Sequence, residues 1–255
     1  MRIEYAELSL VGDREDNQDR VTVSAQERAA LLVVIDGMGG HSDGSRAADT
    51  ALKSLLESFR QTPAPLFDPL GFLHMALSRA HDDVAKLGNG QTIDTRPRAT
   101  TAICLVQEGA AFWAHIGDSR VYHMRHGKIL ERTRDHSHVE LLLRSGRITE
   151  KQAQEHPMRN YVESCIGGDR ALPEMTLSGR HTLRGNDVLL LCSDGLWAGL
   201  NDAQIGSLAR DPQRRLSDAL ADIGARAVQT TAPFADNTTG AAVRWRKEPL
   251  RETAH

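Results

Sequence analysis

Cysteine is scarce in this chain of 255 residues, and its three cysteines lie far apart, at Cys104, Cys165 and Cys192. There is no CxxC pair and their number is odd, so we expect neither a zinc site nor a disulfide framework. Long apolar runs are also absent: the longest, residues 29–35, is far shorter than a membrane-spanning helix requires. The first ten residues contain charges and do not resemble a signal peptide. We therefore expect a cytoplasmic globular protein.

The chain also lacks a strong excess of charge of either sign. Its 31 Lys and Arg residues nearly balance 34 Asp and Glu residues, for a formal net charge of -3. This balance gives no reason to expect nucleic acid or an anionic membrane as the main partner. Hydrophobic residues make up 40% of the chain, which is enough for a packed core. We expect a monomer with a single domain over residues 1–246, followed by a polar tail at 247–255.

The pattern of apolar residues predicts both strands and helices. Short apolar runs bounded by Gly or Asp predict strands at residues 30–35, 101–106, 111–116, 120–124, 187–192 and 240–245. Apolar residues spaced three and four apart predict helices at 45–59, 72–87, 139–144, 150–155, 202–209 and 216–228. Short glycine-containing links between the strands at 101–124 favour an antiparallel meander. Because strands cluster with strands and helices with helices, the fold class is α+β.

Four aspartates stand at the ends of these apolar strands: Asp36, Asp118, Asp194 and Asp236. One aspartate in such a place is usually a turn former or a helix cap. A carboxylate beside a buried strand is costly to desolvate unless something compensates its charge. Four of them, each joined to an apolar strand by small residues, favour a shared cation site.

The residue types at this site narrow the choice of metal. Carboxylates without a nearby set of Cys and His ligands suit hard cations that take oxygen ligands, namely Mg²⁺, Mn²⁺ or Ca²⁺. Gly37, directly after Asp36, would let a backbone carbonyl approach as a further oxygen ligand. A pair of such ions suits hydrolysis of a phosphoester, because it can activate water and neutralise the phosphoryl group.

Seven short segments contain these aspartates and the polar residues around them. They are residues 14–19 (REDNQD), 36–41 (DGMGGH), 100–101 (TT), 117–122 (GDSRVY), 133–137 (TRDHS), 193–196 (SDGL) and 236–239 (DNTT). Through these segments and their order, the chain resembles the metal-dependent protein phosphatase family of the protein phosphatase 2C type, in its bacterial stand-alone form. The resemblance implies two antiparallel β-sheets packed as a sandwich and flanked by α-helices, in α-β-β-α layers.

The resemblance also implies a function and a set of core metal ligands. The expected reaction is metal-dependent hydrolysis of phosphoserine and phosphothreonine in proteins, with two core Mn²⁺ or Mg²⁺ ions. Asp36 resembles the aspartate that bridges the two ions, and the carbonyl of Gly37 resembles a ligand of the second. Asp194 and Asp236 resemble the remaining ligands of the first ion. Asp19 matches a carboxylate that orients metal-bound water.

Three further residues receive roles from the same resemblance. Asp118 matches a position that, together with Asp194, holds a third and weaker ion, although a turn former is the alternative. Arg14 resembles the arginine that clamps the substrate phosphate, which suits its planar guanidinium fork. His41 is a candidate general acid or, equally well, a surface loop residue.

Other functions stay open on the sequence alone. A phosphatase-like fold could bind a phosphoprotein without cleaving it, but such a module should have lost some of the metal carboxylates. A small-molecule phosphoesterase on the same fold is a second alternative, while the lack of a basic patch argues against a nuclease. The expected partners are phosphorylated proteins, including a serine/threonine protein kinase and its targets.

Overall fold

The computed structural model describes residues 2–38 and 41–246. These residues contain twelve strands and seven α-helices. The strands are β1 (Ile3–Leu10), β2 (Asp19–Ala25), β3 (Ala29–Met38), β4 (Arg98–Gln107), β5 (Ala110–Ile116), β6 (Arg120–Arg125), β7 (Lys128–Arg132), β8 (Ile166–Gly167), β9 (Thr176–Leu177), β10 (His181–Thr182), β11 (Val188–Cys192) and β12 (Thr238–Trp245). The helices are α1 (His41–Gln61), α2 (Pro69–Leu87), α3 (His138–Arg144), α4 (Glu150–Gln154), α5 (Asp194–Trp197), α6 (Asp202–Gly206) and α7 (Leu216–Thr231). The tail at 247–255 lies outside the described residues.

The strands form two antiparallel sheets, as the family resemblance implied. Sheet A has the order β1-β12-β11-β6-β7. Sheet B has the order β10-β5-β4-β3-β2, with β8 alongside β4 and β9 alongside β5. The α+β sandwich flanked by helices is thereby confirmed.

Strand β3 shows how the layers are held together. Successive side chains of a strand point to opposite faces of the sheet. Leu31, Val33 and Ile35 are buried against α1 and α2, which cover the outer face of sheet B. Leu32 and Val34 are buried in the cluster shared with sheet A. Because both faces are covered, residues 29–35 of β3 form a continuous apolar run instead of an alternating one. On the far side, α7 and the short helices before it pack on the outer face of sheet A.

The meander predicted for residues 101–124 is wrong in its last step. Strands β4 and β5 pair in sheet B, but β6 lies in sheet A between β11 and β7. The chain crosses from one sheet to the other at Gly117, which has φ 99°. A Cβ at this position would lie 2.5 Å from the side chain of Thr100, so only glycine fits the crossing. The crossing places Asp118 between the two sheets.

Most other elements agree with the prediction, apart from their ends and a few omissions. The predicted helix at 202–209 is α6 followed by a 3₁₀ turn at Ser207–Ala209. Strands β1, β2 and β7 were not predicted, because they are partly exposed and contain many polar residues. Within residues 2–38 and 41–246, no helix is long and apolar enough to cross a membrane.

Candidate metal centre

Asp19 and Asp36 lie directly opposite each other on neighbouring strands of sheet B. Strands β2 and β3 are antiparallel, and their register pairs Asp19 with Asp36. Side chains of such a pair lie on the same face, about 5 Å apart at Cβ. Asp36 also shares the face of Leu32 and Val34, so it points towards the other sheet. Two like charges placed opposite each other destabilise a sheet, so this pairing is one that a cation would relieve.

Asp194 and Asp236 come from sheet A and lie at one end of it. Strand β11 ends at Cys192, which pairs with Gly240 near the start of β12. Asp194 follows the end of β11, and Asp236 precedes the start of β12, so the antiparallel pairing brings them together. Ser193 joins this end to sheet B, because its hydroxyl donates a hydrogen bond of 2.8 Å to Oδ2 of Asp19.

Asp118 is the fifth aspartate of the group, and it lies at the crossing between the two sheets. Its side chain is buried, and Oδ1 has no hydrogen-bond partner among the described residues. Its backbone carbonyl accepts a hydrogen bond of 3.0 Å from Nε1 of Trp197, the last residue of α5. Because a buried carboxylate oxygen without a donor is costly, the free Oδ1 is a further sign that a cation belongs near this position.

The electrostatics of the group agree with a cation site. Burial is the main cause that raises the pKa of Asp19 to about 7 and the pKa of Asp194 to about 6, and repulsion between the carboxylates adds to it. The same two causes raise the pKa values of Asp36 and Asp118 well above the ordinary value for aspartate. A divalent cation would reverse this effect and keep the carboxylates ionised.

The carboxylates do not yet converge as a ligand set. Within residues 2–38 and 41–246, no three carboxylate, His or Cys side chains lie close enough together to hold one ion as they stand. Asp236 instead accepts a hydrogen bond of 2.6 Å from Nη2 of Arg14. The all-oxygen donor set fits Mn²⁺ or Mg²⁺, and the individual ligand roles stay predictions.

Arg14, the predicted phosphate clamp, lies beside Asp236 of the acidic group. Its side chain is mostly exposed, and its pKa is raised by the hydrogen bond to Asp236. The guanidinium group of Arg14 is thus placed next to a predicted metal ligand. If Asp236 bound a metal ion instead, the guanidinium group of Arg14 would be free to bind a phosphate.

Gly37 is needed for packing as well as for its predicted ligand role. A Cβ on Gly37 would lie 2.2 Å from the backbone oxygen of Gly44 in the first turn of α1. Strand β3 and helix α1 therefore approach each other through two glycines. The candidate general acid His41 is the first residue of α1, but its side chain lies outside the described part of the structure.

Two other histidines flank the crossing and are buried. His136 accepts a hydrogen bond of 3.2 Å at Nδ1 from the amide of Gly117, and its own amide donates to the carbonyl of Gly117. The ring of His115 stacks on His136 at a centroid distance of 4.5 Å. Burial and the neighbouring His136 lower the pKa of His115 to about 4. His115 is a core residue, although its Nδ1 has no partner among the described residues.

The sequence did not reveal one group of residues that holds Asp118 in place. Arg120 makes two parallel bonds of 2.7 Å to the carboxylate of Asp135. Its guanidinium group also lies 3.4 Å from the ring centre of Trp197, the donor to the carbonyl of Asp118. Arg120 and Asp135 belong to the segments 117–122 and 133–137, and their opposite charges were the signal that could have linked those segments.

Comparisons with known proteins agree with this architecture. Residues 10–233 match the family described as Protein phosphatase 2C. The protein phosphatase PhpP of Streptococcus pneumoniae is 30% identical over 213 residues, which cover 78% of this chain and 82% of PhpP. The serine/threonine phosphatase of S. agalactiae superposes with a TM-score of 0.86 at 28% identity, covering 96% of this chain and 100% of that one. The catalytic domain of the serine/threonine protein phosphatase PstP, in complex with two manganese ions, superposes with a TM-score of 0.79 at 27% identity, covering 96% and 99%.

The family match covers residues 10–233, most of the chain. The chain therefore belongs to the protein phosphatase 2C family.

Proposed function

We propose that this protein hydrolyses phosphoserine and phosphothreonine in other proteins, using two core Mn²⁺ or Mg²⁺ ions and a third, weaker one. The observation that carries the proposal is the group of five aspartates at one end of the sandwich, with an exposed arginine beside it. The group comprises Asp19, Asp36, Asp118, Asp194 and Asp236. A module that only binds phosphoproteins would have no need to keep five carboxylates together at this energetic cost.

The proposed roles are those that the family resemblance implies for these residues. Asp36, the carbonyl of Gly37, Asp194 and Asp236 would hold the two core ions. Asp19, fixed by the hydroxyl of Ser193, would orient water at the site. When bound, the ions supply Lewis acidity that lowers the pKa of water and neutralises negative charge on the phosphoryl group.

Two further residues would act on the substrate side of the site. Arg14 would bind the phosphate of the substrate with parallel N–H donors, which positions the phosphorus for attack. Asp118, together with Asp194, would hold the third ion. His41 stays a candidate for protonating the leaving serine or threonine oxygen.

The proposed partners are phosphorylated proteins, including a serine/threonine protein kinase or its products. The relatives support this proposal, since PhpP is named a protein phosphatase and PstP a serine/threonine protein phosphatase. We also propose that the protein acts as a monomer in the cytoplasm.

The test is turnover of a phosphothreonine peptide with Mn²⁺, with Mg²⁺ and with EDTA, beside a phosphotyrosine peptide of the same sequence. We expect turnover of the phosphothreonine peptide only when metal is present, and little turnover of the phosphotyrosine peptide. Equal turnover of both peptides would instead favour a broad small-molecule phosphoesterase.

A matched pair of variants separates the site from general effects of charge. Asp36→Asn should lower kcat by about 10³-fold or more, because it removes the negative charge of the carboxylate that both ions would share. Asp222→Asn removes a carboxylate that is ion-paired with Arg214 on the surface and should leave kcat unchanged. Near-normal turnover by Asp36→Asn at saturating Mn²⁺ would contradict the two-metal assignment.

A further inference from the structure

Phe234 is a large apolar side chain exposed beside the acidic group. The residue is 87% exposed, and it lies two positions before Asp236. A single exposed apolar residue on a protein surface needs no explanation by itself. Phe234 is of interest because it lies near Arg14 and because hydrogen bonds fix the loop that carries it.

The loop that carries Phe234 is held tightly to the loop that carries Arg14. The amide of Asp13 donates to the carbonyl of Ala235, and the amide of Ala235 donates to Oδ2 of Asp13, both at 2.9 Å. Asn237 adds a bond from Nδ2 to the carbonyl of Val11, also at 2.9 Å. Phe234 is therefore displayed on a fixed backbone, which lowers the entropic cost of using its ring as a binding contact.

Two contacts place Phe234 near Arg14. The amide of Asp13 is bonded to the carbonyl of Ala235, the residue directly after Phe234. Nη2 of Arg14 is bonded to Oδ2 of Asp236, two residues after Phe234. Arg14 and Asp13 therefore contact the same short segment that carries Phe234.

We propose that Phe234 is a specificity-determining residue, which binds an apolar side chain of the substrate next to the phosphorylated residue. This inference rests on the proposed function, because Arg14 would hold the phosphate while the ring of Phe234 contacts a neighbouring residue of the same peptide. An exposed guanidinium group and an exposed aromatic ring on two bonded loops match the two chemistries of such a peptide, an anion and an apolar group. The partner is thus a phosphopeptide with a Leu-like residue one or two positions from the phosphoserine or phosphothreonine.

The experiment compares kcat/KM for a set of phosphothreonine peptides. The parent peptide has small polar residues around the phosphothreonine, and each of four others has Leu at one of the two positions on either side. For the wild-type protein with Mn²⁺, we expect at least one Leu peptide to be preferred about tenfold, which corresponds to roughly 1.4 kcal/mol. Phe234→Ala should bring that ratio close to one, and Phe234→Leu should keep part of it.

The chain offers a matched control in Phe67. This phenylalanine is also fully exposed, and it follows Leu66, whose amide is bonded to the side chain of Gln107. Gln107 lies seven residues along β4 from Thr100, the partner of Asp36, or about 23 Å at 3.3 Å per residue. Phe67→Ala should therefore keep the wild-type preference. Melting temperatures should change little in either variant, because neither ring is buried.

Each other outcome has a definite meaning. If the wild-type protein cleaves all five peptides equally, or if Phe234→Ala keeps the preference, the inference about Phe234 is wrong while the phosphatase function stands. If no peptide and no p-nitrophenyl phosphate is cleaved with Mn²⁺ or Mg²⁺, the proposed function itself fails. If sedimentation shows a dimer that Phe234→Ala disperses, the ring binds a second copy of the chain, which also overturns the inference.

Discussion

Replacing Asp19 by Asn should make the metal-free protein more stable at alkaline pH. Asp19 is almost completely buried, and burial together with repulsion from Asp194 and Asp236 raises its pKa to about 7. In the unfolded chain an aspartate titrates near pH 4. Because its folded pKa is the higher one, the folded state binds more protons between pH 4 and pH 7. The free energy of unfolding therefore falls as the pH rises through this window.

The magnitude follows from the two pKa values. A separation of about three pH units corresponds to roughly 4 kcal/mol at a pH above 7. Neighbouring carboxylates relax and share this cost, so we expect Asp19→Asn to gain about 2 kcal/mol at pH 8 and less than half of that at pH 5. For a chain of this size, 2 kcal/mol shifts the melting temperature by roughly 4–8 °C. The asparagine can still accept the hydrogen bond from Ser193.

The assay is thermal melting in EDTA at pH 5 and pH 8, repeated with saturating Mn²⁺. Without metal, the wild-type protein should melt at a lower temperature at pH 8 than Asp19→Asn does. With Mn²⁺ at pH 8, the wild-type protein should gain more than the variant, because the ions neutralise the carboxylate. A wild-type protein that is as stable as the variant at pH 8 in EDTA would refute the reasoning.

Asp187 provides a control of opposite sign. Burial alone would raise the pKa of Asp187, but hydrogen bonds from Arg125 and His123 lower it well below the ordinary value. Because its folded pKa is the lower one, its stabilising effect is present above pH 4 and is lost as the pH falls below that. Asp187→Asn should therefore lower the melting temperature at both pH 5 and pH 8, whatever the metal content.

Three further variants test single residues around the site, and a fourth serves as a control. Arg14→Ala should raise KM for a phosphopeptide with a smaller loss of kcat than Asp36→Asn shows, and loss of metal binding in calorimetry would mean that its role is misassigned. Asp118→Ala should remove one weak Mn²⁺ binding event in calorimetry and lower phosphopeptide turnover without lowering the melting temperature; intact binding with a lowered melting temperature would show a turn residue instead. Arg120→Lys should weaken the same binding event, because lysine does not make the two parallel bonds to Asp135 that support the contact with Trp197. Arg125→Lys, which breaks an equally bidentate pair on the same strand, should change only the melting temperature.

Much of the fold could be predicted because its central elements are locally obvious. Residues 29–35 of β3 are all apolar, and helices α1 and α2 carry apolar residues at helical spacing, so short stretches of the chain are enough to predict their burial. The strands β1, β2 and β7 are partly exposed, and polar side chains hide their period. They become strands because neighbouring strands offer hydrogen-bonding edges, a fact that no local pattern contains.

The sequence by itself also determined the chemistry of the site, since aspartates at strand ends, in a fixed order of motifs, are enough to indicate a metal-dependent phosphatase. Only the tertiary structure decided how those residues meet. The crossing at Gly117 sends β6 into the opposite sheet and puts Asp118 between the two sheets. Arg14 pairs with Asp236 across 222 residues of sequence. Such contacts depend on the pairing of distant strands, whose closure is governed by the packing of the whole sandwich and not by the residues next to each partner.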